Sequence, residues 1–130
     1  MRRAVGLLFV GLAALAGCNK ASEERYTPPS SSARQALETA LTQWREGQAK
    51  PSQFTFEKVK VEVLDQNWAD GQKLQSFEIL GEEPNMAGGP RIFTVKLKTA
   101  KGEQNAKYYV VGIDPLWIYG EADYRKLTGS

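Results

Sequence analysis

The chain has 130 residues, 42% of them hydrophobic, with one cysteine and no histidine. This describes one small globular domain with a thin core; the lone cysteine excludes an internal disulfide, and the missing histidine removes a histidine base and a histidine-held metal. With 17 basic residues against 15 acidic ones, the charge gives no basis for nucleic acid as a partner.

Arg2 and Arg3 precede an uncharged apolar run from Ala4 to Ala16, the n-region and h-region of a secretory signal. A membrane-spanning helix needs about 20 apolar residues. This run stops short of that in the small residues Ala16 and Gly17, so cleavage is expected rather than spanning. Leu15-Ala16-Gly17-Cys18 resembles the lipobox of bacterial lipoproteins. The resemblance implies removal of residues 1–17, diacylation of the Cys18 thiol and anchorage of the mature chain in a membrane of the cell envelope. A thiolate is the side-chain nucleophile suited to such an alkylation near neutral pH, and two acyl chains hold a protein where one does so only marginally. Enterobacterial lipoproteins use aspartate after the cysteine for inner-membrane retention; Asn19 in that place points, by the same resemblance, to the outer membrane on its periplasmic side. Of the 17 basic residues Arg2 and Arg3 leave with the signal, and the remaining 15 balance the 15 acidic ones. The mature chain is therefore neutral.

Residues 18–30 are polar, charged and proline-bearing with no hydrophobic period, and are expected to form a flexible tether. At about 3.5 Å per residue it lifts the folded part some 40 Å from the lipid at most.

A single α+β domain is expected over residues 31–126. Ser32 and Gln35 have capping-box spacing, Ala33, Leu37, Ala40, Leu41 and Trp44 make one apolar stripe, and Gly47 is a natural stop. Together they predict an amphipathic helix with Trp44 in the core. Val59, Val61 and Val63 alternate with Lys58, Lys60 and Glu62 as in a half-buried strand. Ala69-Asp70-Gly71 supplies turn chemistry, so a second strand from Leu74 to Leu80 is expected to complete a hairpin. The stretch GEEPNMAGGP reads as a loop without the ligand spacing of a calcium site. Phe93, Val95 and Leu97 mark a third strand, Lys101-Gly102 a reversal, and about Asn105 to Ile113 a fourth. Extended structure resumes in LWIY after Asp114-Pro115, a dipeptide read as a bulge or an edge because proline cannot donate to a ladder.

The expected fold is thus one N-terminal helix packed on a curved antiparallel sheet of about four strands. Its order and pattern over residues 33–120 resemble the cystatin-like architecture and its expanded NTF2-like form. The segments FEILGEE and YYVVGIDPLWIYGEADY are also similar to stretches of small lipoproteins from planctomycete-type bacteria, a likeness that implies no activity. True cystatins inhibit proteases through a QxVxG hairpin and a Pro-Trp hairpin. Here Val110-Val111-Gly112 falls in the last long strand and Pro115-Leu116-Trp117 is not Pro-Trp, so neither element is in place.

Tyr108, Tyr109, Trp117 and Tyr119 crowd the last strands, and alternation places aromatic groups on both faces of the sheet. One helix covers one face, so some of these rings are expected to be exposed; Tyr109, Trp117 and Tyr119 are a candidate interaction face of suitable composition, and the alternative is an aromatic core filling the end of a thin domain. The expected function is a lipid-anchored binding or interaction module of the cell envelope, with an envelope protein or a second copy as partner and with no cofactor or metal. The alternative is a small NTF2-like hydrolase or isomerase using Asp65, Asp114 or Tyr119 as acid–base groups. For the two aspartates the simpler role is that of turn residues at strand ends.

Overall fold

The computed structural model describes residues 27–84 and 88–129; the signal segment, Cys18 and Asn19 lie outside the described residues. Helix α1 spans Ser30–Arg45 and lays Ala33, Ala36, Leu37, Ala40, Leu41 and Trp44 against the sheet as one buried stripe. It begins ahead of the expected capping box. Pro29 stands at the N-cap, no side chain caps the first turn, and the Pro29 carbonyl accepts from Ala33 N at 3.0 Å. The C-terminus closes as the sequence suggests: Gly47 takes φ 107°, its N–H donates to Trp44 O and that of Gln48 to Gln43 O, a Schellman motif.

Six strands follow: β1 Phe54–Phe56, β2 Val59–Leu64, β3 Leu74–Glu82, β4 Arg91–Thr99, β5 Gly102–Gly112 and β6 Leu116–Gly120. Helix α2, Gln66–Ala69, lies between β2 and β3, and helix α3, Glu121–Thr128, follows β6 directly. The strands form one strongly curled half-barrel in the order β1-β2-β6-β5-β4-β3. The α+β class and curved sheet hold, but the sheet has six strands rather than four and is mixed, because β2 and β6 run parallel.

Some of the departures have a local cause. The expected hairpin between β2 and β3 does not form; the Asp65 side chain accepts from Asn67 N and caps α2, which turns the chain and buries Trp68. β3 then lies at the sheet edge opposite β1. The strand β1 has three residues, too few to show a period beside Pro51. Asp114-Pro115 is neither bulge nor edge. It sits in the turn between Gly112 and Leu116, which pair, and β6 beyond it is interior, flanked by β2 and β5.

The inner face of the sheet carries Val61, Phe93, Val95, Leu97, Val110 and Ile118, all at most 1% exposed, against α1. Trp44 and Trp68 stack at 5.5 Å with 12° between their planes. Their indole N–H groups donate to Gln72 O at 2.7 Å and Gln48 O at 2.8 Å, so both large rings enter the core with their polar atoms satisfied. The end of the expected tether is fastened to the sheet. Pro28 is buried and its carbonyl accepts from Arg91 Nε at 2.8 Å, Thr27 Oγ1 donates to Gly89 O at 3.1 Å, and the Ser30 hydroxyl donates to Glu82.

Candidate functional site

The register of β5 and β6 pairs Tyr109 with Tyr119 and Val111 with Trp117, while Val110 and Ile118 pair on the core side. Alternation therefore sends Tyr109, Trp117 and Tyr119 to the outer face, away from α1. All three expected interaction residues share that face. Trp117 and Tyr119 lie nearly parallel, 8° apart with centroids at 5.9 Å. A fourth ring, Tyr124 from α3, stacks on Tyr109 at 4.2 Å and meets Tyr119 edge-on at 6.0 Å. As a result Tyr119 is only 8% exposed, whereas Tyr109 and Trp117 are half-buried.

Beside the rings an open groove of about 670 Å³ runs over Val111, Ile113, Pro115, Trp117 and Tyr124, with Pro90 on its rim. Its floor depends on Gly112. That residue has φ 84°, and a Cβ there would lie 2.6 Å from Pro115 O, so only glycine lets the turn fold this tightly. The groove is predominantly apolar, and Ile113 in it is 41% exposed.

A second cluster lies on the inner side at the end of β2. Asp65 is 5% exposed. Its Oδ2 accepts from the buried Tyr108 hydroxyl at 2.5 Å and its Oδ1 from Asn67 N at 3.1 Å. Burial raises the Asp65 carboxyl above its ordinary value, against the lowering effect of these hydrogen bonds, and Asp123 raises it further. The Tyr108 phenol is pushed well above its usual range by burial and then by the Asp65 charge. Asp123 Oδ2 accepts from Gln66 N at 2.9 Å. These groups border a polar pocket of about 260 Å³ that also includes Asn67, Gln104 and Asn105.

The acid–base candidates do not converge. Asp65 faces inward with Tyr108, and Tyr119 occupies the outer face, where burial raises its phenol, followed by Glu62 and Tyr124. Asp114 is exposed in the β5–β6 turn, its Oδ1 accepting from Lys60 N at 3.4 Å. Two groups escaped the sequence reading. Tyr124 had a legible signal: Glu121 and Asp123 open α3, Arg125 and Lys126 close it and Gly129 follows, which is the charge order and stop of a helix. The pairing of Tyr108 with Asp65 bridges residues 43 apart in sequence and has no local signal. Among the described residues no group of three or more Cys, His, Asp and Glu stands ready to hold a metal. None of the described helices is long and apolar enough to cross a membrane. Comparison with protein-family models, with curated proteins and with solved structures gave no match.

Proposed function

We propose that the chain is a lipid-anchored interaction module of the cell envelope, held through acylated Cys18 at the periplasmic side of the outer membrane. The observation that supports it is the gathering of Tyr109, Trp117 and Tyr119 on the sheet face that α1 leaves uncovered, beside an open apolar groove. Aromatic groups with a polar surround are the composition of interfaces, and large rings are the residues on which binding energy concentrates. The fit of one long helix against a curled sheet supports a cystatin-like or NTF2-like relationship. The acid–base alternative draws no comparable support, because Asp65, Asp114 and Tyr119 point to three different places and the Asp65 carboxylate is engaged as a helix cap.

The partner in this reading is an envelope protein, and a second copy of the chain is the other outcome of the test. Crosslinking the anchored protein in its own cells and mapping the joined residues should place the contacts around Trp117, Ile113 and Pro90. Crosslinks concentrated on the exposed side of α1 or along β3 would move the interaction away from the outer face.

A further inference from the structure

The outer aromatic face is already partly occupied. Tyr124 covers Tyr109 face to face and closes over Tyr119 edge-on, so that Tyr119 retains 8% exposure. The helix that brings this ring is lightly held. No residue of α3 is buried, and its Leu127 is 62% exposed. Its contacts with the strands and with α2 include the Tyr124 ring and the Asp123 carboxylate, which accepts Gln66 N at 2.9 Å; the Glu121–Arg125 ion pair at 3.2 Å is internal to the helix. No loop separates α3 from β6, and Gly120 is its N-cap. A short helix that buries little opens locally while the strands beneath it remain paired.

We propose that α3 is a displaceable cover and that the seat beneath Tyr124 receives an aromatic side chain from the partner protein. This rests on the outer face being the interaction site and names what that site recognises. The present occupant defines the chemistry: a flat ring lies against Tyr109 and meets Tyr119 at an angle, both favourable arrangements for aromatic pairs. A partner ring entering in place of Tyr124 restores both contacts, while Trp117 and the groove toward Pro90 extend the interface beyond the cover. Because the seat is available only in the open form, the apparent affinity is reduced by the open fraction, and loosening α3 strengthens binding.

Hydrogen exchange on the purified mature chain tests the cover. The α3 amides should exchange at least tenfold faster than those of β5 and β6, and Tyr124→Ala or Asp123→Ala should speed α3 by roughly a further tenfold while leaving the strands unchanged. Equal exchange in α3 and the strands would mean that the helix opens only with global unfolding, and would overturn the cover. For the seat, N-acetyltyrosinamide is the probe: at millimolar concentration it should alter the tryptophan fluorescence of the Tyr124→Ala chain, and Tyr109→Ala added to that variant should abolish the response. Absence of any response in folded Tyr124→Ala would overturn the seat. In cells, Tyr124→Ala should raise the crosslinked yield whereas Trp117→Ala lowers it. A fall with both variants would make Tyr124 part of the contact and not a cover. Unchanged yield with Trp117→Ala, alongside fast exchange in α3, would remove the interaction face itself and leave only the opening.

Discussion

Asp65 is a carboxylate taken out of water with the Tyr108 phenol and backbone N–H groups of α2 to compensate. Removing the phenol leaves a buried acceptor short of a donor, so Tyr108→Phe should destabilise the fold by about 1–3 kcal/mol in urea denaturation. The pH dependence follows from the upward displacement of the Asp65 carboxyl above 3.8. The folded chain holds this proton more tightly than the unfolded chain. The stabilisation from this group is therefore complete below the unfolded value and is lost as pH rises through the folded one. Asp65→Asn removes the titration, so its melting temperature should gain on that of the wild type as pH is raised over the range above 3.8. Parallel curves over that range would show that Asp65 titrates as in the unfolded chain. Gly112 presents the opposite demand, for empty space: Gly112→Ala drives a methyl to within 2.6 Å of Pro115 O. It should cost about 2 kcal/mol or more and spread the turn that floors the groove.

Among the elements, the β1–β2 hairpin carries a local strain that makes a further prediction. Glu57 and Lys58 both have positive φ, 49° and 67°, the pair of conformations that a two-residue hairpin turn requires and that asparagine and glycine adopt more readily. Replacing Lys58 by glycine should therefore stabilise the chain by about 1 kcal/mol, read as a higher urea midpoint with unchanged slope. The same scale shows what the sequence made legible. Alternation in Val59, Val61 and Val63 and in Phe93, Val95 and Leu97 identified β2 and β4 because each buries one face, and the α1 stripe was visible for the same reason. Pairing was not visible: nothing local to β2 says that its neighbour is the distant, parallel β6 and not the next strand in the chain. The helix α3 escaped because its signals are charges and a glycine rather than an apolar stripe, and it buries no residue. That omission hid Tyr124, the ring that decides how much of the candidate face is open.

Taken whole, the proposed protein joins an anchor to a recognition surface. In that proposal anchorage depends on a single thiol, so Cys18→Ser should accumulate as an uncleaved precursor that incorporates no labelled fatty acid, read by intact mass. A mature wild-type chain with an unmodified Cys18 would detach the domain from the membrane. Recognition is proposed to depend on Trp117, which is half-buried beside the groove. If it is an interaction anchor, its truncation removes about 2 kcal/mol or more of binding; if it is core, truncation removes about 3–5 kcal/mol of folding stability. The most direct measurement compares Trp117→Ala with wild type for crosslinked partner in the organism's own cells and for melting of the purified domain. The expected result is a loss of capture of at least tenfold with melting lowered by no more than a few degrees. Undiminished capture by a folded Trp117→Ala domain, or a variant that loses its fold, would contradict the claim that this outer face is where the module binds.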